Sequence, residues 1–367
     1  MHTVSCSRSS FLGGLVLALV VLALAGCGGS DDGGAGSGSS ESGSGQPGYV
    51  AWPYFGRVPE RTHYLPSHER VLDPPLRQAW SINTHALIEF PPAIANGVAY
   101  VINKYGNGKA VRLSDRKVLW ELKLRPNDKG TPLDVTAPVY YDGRVYGAFL
   151  DGYVAAGDAA TGRKVWVRKL DAHLESSPLP IGGLLYFGTD TTDVLALRTS
   201  DGTTSWKFNV PGAVKASPSF HDGNVFVADY EGSMFALEAD SGKPVWRTNT
   251  TTQPPFGRGG FFSSPAIAFG NVYAARDDGT VFAFDAKTGK LRWSYDVGGP
   301  IPGTATVIGH TVYTSSFETN KTIGIDARTH KKTFELDQAG YTPVVSDGRR
   351  LFLVGYFDLI GLEPTKP

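Results

Sequence analysis

Three carboxylates and one lysine recur at a matching place in this sequence. Glu89, Asp134 and Glu175 stand three or four residues ahead of Pro92, Pro138 and Pro178, and Lys215 stands three ahead of Pro218. If those prolines open equivalent strands, the four side chains share a rim, with an acidic arc followed by a basic site. Such a rim could hold a cation, a basic peptide or a sugar. The same charges also suit a solvated surface with no ligand. A second candidate is the segment NTTTQPPFGRGGFFSSP, from Asn249 to Pro265. Aromatic and Arg residues on a loop are the material of binding hot spots, and here they are Phe256, Arg258, Phe261 and Phe262. Phe256 and Arg258 are expected as exposed contacts. Phe261 and Phe262 either join them or start the next strand as core.

No catalytic constellation accompanies these residues. The sequence has no nucleophile elbow, no phosphate-cradling glycine loop opening a helix and no HExxH. Its eight histidines are dispersed without metal-ligand spacing, and His63 and His68 in RTHYLPSHER read as surface residues. Asp277-Asp278 falls in a turn, where solvation and turn chemistry account for it. The expectation is therefore no catalytic residue, no metal and no cofactor.

The elements that must position these residues are set by a repeat. AFDAKTGKLRW ends at Trp293, AAGDAATGRKVW at Trp166, ALRTSDGTTSW at Trp206 and ALEADSGKPVW at Trp246. From Trp120 to Trp293 the Trp spacing is 46, 40, 40 and 47 residues. A period of that size, read as short strands between turns, predicts propeller blades of about four antiparallel strands. SPAIAF, NVYAAR, TVFAFDA and KLRWSYDV make one such blade, with Gly270-Asn271 and Thr288-Gly289 at its turns. Each Trp should fill the wedge between neighbouring blades and find a partner there for its indole N–H.

The repeat loosens at its ends. IGIDARTHKKTF keeps Asp326 and Thr329 but places His330 where Gly is usual and Phe334 where Trp is usual. The chain then offers YTPVVSDG, RRLFLVGYFD and LIGLEP, three strands without a fourth. PLRQAWSIN carries Trp80, 40 residues before Trp120. The simplest reading is an all-β, seven-bladed propeller of four-stranded blades whose last blade is closed by the N-terminal strand, which removes two sheet edges. Eight blades is the alternative, and it would require a blade from the Pro-rich segment Tyr49 to Pro75.

Residues 1–27 read as an address rather than as fold. Phe11 to Ala23 is an apolar run too short for a comfortable span, followed by Leu24-Ala25-Gly26-Cys27. This resembles a bacterial lipoprotein signal and implies acylation of Cys27 after cleavage. Residues 28–48 form a Gly/Ser tether of roughly 25 Å root-mean-square span. Residues 49–75 are an irregular lead-in, and 76–367 are the propeller. Lys plus Arg and Asp plus Glu both number 35, which gives nucleic acid no basic stripe to grip. Cys6 leaves with the signal, so no disulfide is available.

The repeated phrase resembles that of the pyrroloquinoline-quinone-type propellers, over about Leu76 to Glu363. That superfamily includes quinoprotein alcohol dehydrogenases and the lipoprotein propeller of the outer-membrane β-barrel assembly machine. WPYFGRVPERTHYLP, from Trp52 to Pro66, resembles the lead-in of many such propellers. The dehydrogenases carry a Cys-Cys pair that this sequence lacks, and both named groups have eight blades. The resemblance and the anchor imply a non-catalytic scaffold on the extracytoplasmic side of a membrane. Its partner would be an envelope protein or a cell-wall polymer. The alternative is an enzyme, dependent on quinone or acting on a saccharide or peptide, that uses the channel mouth.

Overall fold

The computed structural model describes residues 90–125, 134–251, 259–301 and 303–337. It also describes short pieces at 53, 56–60, 83 and 85–88, and the strand backbones at 345–346, 351–354 and 359–362. All of them lie within one compact unit. The described residues contain no α-helix. They form six four-stranded antiparallel sheets, each a simple meander, at 93–123, 139–169, 179–209, 219–249, 266–296 and 306–336. A seventh sheet of three strands follows at 345–362. Trp80, the expected outer strand of that last sheet, lies outside the described residues.

Within a sheet the first strand is three residues long and the next three are longer, as in Ala266–Ala268, Asn271–Ala275, Thr280–Asp285 and Leu291–Asp296. Short first strands suit a crowded axis, and long last strands suit an open rim. The sheets pack face to face in sequence order. One apolar cluster joins the first and second sheets through Tyr100, Ala110 and Val145. Later clusters join each sheet to its successor, ending with Tyr273, Val281 and Trp293 against Val312 and Ile325.

The repeated phrase makes the clasp between sheets. Its Ala faces the Trp across the two outer strands, as Ala196 faces Trp206 and Ala283 faces Trp293, and a bulge follows the Ala each time. A larger side chain there would push the indole outward. The indole N–H of Trp120, Trp166, Trp206 and Trp246 donates to the carbonyl of Ala159, Thr199, Ala239 and Ala286 in the following sheet, at 2.7–2.9 Å. The Gly of that following phrase lies flat on the ring. At Gly242 (φ +69°) a Cβ would come within 2.5 Å of Trp206, so the site needs a left-handed backbone and no side chain. The Asp closes the turn: Asp158 Oδ1 accepts the Thr161 N–H at 2.7 Å and the Thr161 hydroxyl at 2.6 Å.

Nearer the axis, hydroxyls stitch each sheet to the next. The N–H of Ala137 donates to Ser177 Oγ, Ser177 to Ser217 Oγ, Ser217 to Ser264 Oγ, and Ser264 to Thr304 Oγ1, at 2.9–3.3 Å. The lead-in reaches the same first strands. The carbonyls of Pro53, Pro59 and Glu60 accept the N–H groups of Tyr140, Phe220 and Ile267 at 2.7–3.2 Å. These donors belong to the first strands of the second, fourth and fifth sheets. Edge N–H groups that would otherwise be unpaired are thereby capped.

Candidate functional site

Antiparallel strands put the connections between sheets and the turns between second and third strands at one end. The other two hairpin turns lie at the opposite end. All the sequence-derived rim residues that the structure describes belong to the first of these, the connection end. Glu89, Phe256 and Arg258 lie outside the described residues, as do Cys27 and Trp80.

The rim is less acidic than its sequence pattern predicts. Asp134 is paired with Lys104 at 2.9 Å, and Glu175 with Lys215 at 3.1 Å. Lysines on neighbouring elements thus neutralise two of the carboxylates, so the expected contrast between an acidic arc and a basic site is not present there. Exposed pairs of this kind contribute about 0–1 kcal/mol.

Lys215 has a second role. Its ammonium lies 5.2 Å from the Tyr230 ring centre and 5.4 Å from that of Phe262. The two rings meet edge to face at 4.8 Å and 71°. Negative ring faces attract the cation, and the Glu175 carboxylate pairs with it at 3.1 Å. Phe262 remains 42% exposed, so a large apolar ring stands in water beside a fixed charge. Burial pushes the Tyr230 phenol up to about 12.

Phe261 corrects one expectation. It is fully buried, with its ring 5.9 Å from Phe282 in the core between the fourth and fifth sheets. Its N–H donates to the Asp229 carbonyl at 3.0 Å. Extended backbone sends successive side chains to opposite sides, so Phe261 goes to the core while Phe262 goes to the surface. Phe261 is therefore not a contact residue.

Two residues that hold this corner were not singled out from the sequence. Tyr230 sits in a turn between strands and carries no repeat signature. Arg276 is 1% exposed and donates to the carbonyl and hydroxyl of Thr250 at 3.1 and 3.0 Å. It also pairs with Asp278 and lies over the Phe282 ring. It thus fastens the start of the long connection that ends at Phe262. The signal was its position: Arg276 follows the second strand where the third and fourth sheets have Thr189 and Asp229. Asp229 is buried, and its carboxylate accepts the N–H groups of Gly212, Glu231 and Ser233 at 2.7–3.3 Å. Burial still raises its pKa. Asp277 is likewise raised by burial. Neither Asp faces a base or nucleophile at hydrogen-bonding distance. Among the described residues no group of three or more His, Cys, Asp or Glu could hold a metal.

The Lys215 ammonium thus lies near two aromatic rings with its side chain 27% exposed. The family model described as "Outer membrane protein assembly factor BamB" matches residues 75–178 and 150–358. The chain belongs to that family. A curated member from Nitrosomonas eutropha is 32% identical over 136 residues, which is 37% of this chain and 32% of that protein. The chain therefore spans about a third of the length of that relative. The crystal structure of BamB from Moraxella catarrhalis superposes with a TM-score of 0.63 at 19% identity, covering 77% of this chain and 86% of that one. A europium-containing methanol dehydrogenase superposes with a TM-score of 0.69 at 14% identity, covering 84% and 82%. At such identities the likeness establishes the propeller-type fold alone, which family members share with dehydrogenases.

Proposed function

We propose that this chain is a membrane-tethered, extracytoplasmic propeller that scaffolds outer-membrane protein assembly by presenting its connection end to another protein of that machinery. The observation that carries this reading is the exposed Phe262 ring, packed with Tyr230 and fixed by Lys215 and Glu175. A rigid aromatic beside an oriented charge is a hot-spot arrangement. The long connection carrying Phe256 and Arg258 would extend it. In this reading residues 1–27 are the signal, Cys27 is acylated, and 28–48 is the tether. The lead-in and propeller follow from 49 and 76. The strand bearing Trp80 completes the three-stranded sheet, giving seven blades.

An enzyme working in the channel is less well supported. The backbone carbonyls of Pro53, Pro59 and Glu60 already occupy first-strand N–H groups in three sheets, and that space is where a channel ligand would need to lie. No Cys-Cys pair is present for quinone chemistry of the dehydrogenase type.

Site-specific photocrosslinking in cells tests the proposal. A crosslinker placed at Phe262 should give an adduct with a defined outer-membrane assembly protein. One placed at Val165, an exposed outer-strand position, should not. Combining Phe262→Ala with Lys215→Glu should lower co-purification of that partner at least about tenfold, as loss of a hot spot of 1.4 kcal/mol or more requires. Equal adducts from both positions, or full co-purification by the double variant, would sink the reading.

A further inference from the structure

The chain has as many Lys and Arg as Asp and Glu, 35 of each, but the two ends of the propeller do not share them evenly. Among the described residues, the connections and the turns between second and third strands hold 11 Asp or Glu against four Lys or Arg. The other two turns of the six four-stranded sheets, at the hairpin end, hold five Asp against eight Lys or Arg. One end is acidic and the other basic. An anionic surface would therefore attract the hairpin end and repel the connection end.

The basic excess is concentrated on the fifth and sixth sheets. Their turns between third and fourth strands carry Lys287, Lys290, Arg328 and Lys331, all exposed, and none of their four hairpin-end turns contains an Asp or Glu. The flanking carboxylates are already paired, Asp285 with Arg292, Asp326 with Arg328, and Glu335 with Lys321 and Lys332. Lys287, Lys290 and Lys331 enter no ion pair among the described residues. The neighbouring fourth sheet sets Asp222, Glu238 and Asp240 against Lys243, so the basic patch ends there. An aromatic pair belongs to the patch, because Phe269 lines one cleft with Lys287. Phe269 opens a tight turn whose first residue is Asn96, Asp142, Gly182, Asp222 or Gly309 in the other sheets, always with a left-handed backbone. Those residue types suit that conformation, whereas a bulky ring there carries backbone strain. Phe269 (φ +52°) nonetheless keeps its ring 56% exposed. His310, which replaces the glycine of the other five turns, stacks on it at 4.9 Å, nearly parallel.

We propose that the hairpin end of the fifth and sixth sheets docks on a bilayer surface rich in anionic phospholipid. Phe269, braced by His310, enters the headgroup boundary, and Lys287, Lys290 and Lys331 lie against lipid phosphates. An extended surface fits better than a compact anion, because the lysines sit on the turns of two sheets beside an exposed ring. The acidic connection end, with the Phe262 corner, then faces away from the membrane and toward its partner. The proposal goes beyond the scaffold reading and rests on it only for the anchor at Cys27, which keeps lipid within reach.

The test uses the full chain, purified in detergent and reconstituted on vesicles that carry a headgroup nitroxide quencher. The vesicles are phosphatidylcholine alone or with about one third phosphatidylglycerol. A coumarin amino acid replaces Thr329 at the hairpin end or, in a second sample, Glu318 at the connection end, both exposed. The expected result is quenching at position 329 on anionic vesicles, with little on neutral ones and little at position 318 on either. Lys287→Glu, Lys290→Glu and Lys331→Glu together should lower the docked-to-undocked ratio by about a hundredfold or more, at roughly fivefold for each charge near the surface. Phe269→Asn should lower that ratio while leaving Tm unchanged or higher, because Asn suits the left-handed turn. A purely structural Phe269 would give an unchanged ratio and a lower Tm. Equal quenching at both positions or on both vesicle types, none at 329 on anionic vesicles, or quenching indifferent to the charge reversals would overturn the proposal. So would binding of polyglutamate but not of anionic vesicles, which would assign the patch to an acidic protein. Flotation reports the anchor separately. A chain that floats with neutral vesicles but is unquenched at 329 keeps the anchor and loses the docking, and one that floats only with anionic vesicles does the reverse.

Discussion

Asp285 gathers four donors: the N–H groups of Lys287 and Thr288, the Thr288 hydroxyl, and the Arg292 guanidinium. The Thr288 hydroxyl and then Arg292 hold its carboxyl down to about 2. A carboxylate whose folded value is depressed stabilises the fold above its unfolded value near 4, and this contribution is lost as pH falls toward 2. Asp285→Asn should therefore flatten the fall of Tm between about pH 4 and 2 and leave the slope above pH 5 unchanged, as thermal scans across that range would reveal. The residue types of this turn were legible in the sequence because the Asp–Thr–Gly phrase recurs and its chemistry is local. Tyr230 and Arg276 were not legible. Their partners, Lys215 and Thr250, lie 15 and 26 residues away, and neither pairing recurs at the same place in another of the described sheets.

Between elements, the indole clasp allows an internal comparison. Trp206 and Trp293 occupy equivalent outer strands of their sheets, are buried alike and each face an Ala, but only Trp206 donates its N–H. Replacing Trp206 by Phe should cost about 1 kcal/mol more than replacing Trp293 by Phe, the net worth of a hydrogen bond. Urea unfolding of the two variants measures that difference, and equal losses would mean that the indole N–H contributes nothing to the clasp. The Trp period is also what made the sheets readable in advance. A second periodic signal accompanies it: Tyr100, Tyr146, Tyr186, Phe226 and Tyr273 each stand 20 residues before a repeat Trp. Each of these rings lies 5.8–6.0 Å from that Trp. The serines of Ser177-Pro178, Ser217-Pro218 and Ser264-Pro265 recur likewise, and they form the inter-sheet stitch.

For the whole molecule, the lead-in is the least expected component. The sequence marks it as irregular and Pro-rich, which says nothing about where it docks. Prolines lack an N–H yet keep a carbonyl, so such a segment can cap donors on several strands without forming a ladder of its own. A soluble chain beginning at residue 61 should be less stable than one beginning at 49 by about 3 kcal/mol, counting about 1 kcal/mol for each of three hydrogen bonds. Their denaturant midpoints provide the check. A difference within error would mean that water satisfies the first-strand donors as well as the lead-in does.

The stitch of hydroxyls runs in one sense: the backbone of each sheet donates to a side chain that arrives about 40 residues later. Among the described residues, the apolar clusters likewise join each sheet to its neighbours in sequence. A chain threaded through a pore end first could therefore add sheets in order, each newcomer finding its dock already formed. Apart from the lead-in, contacts so local in sequence keep closure entropy low for an all-β molecule. They also make a stalled or shortened chain a stack of finished sheets with one sticky face, the form a quality-control protease or chaperone would meet.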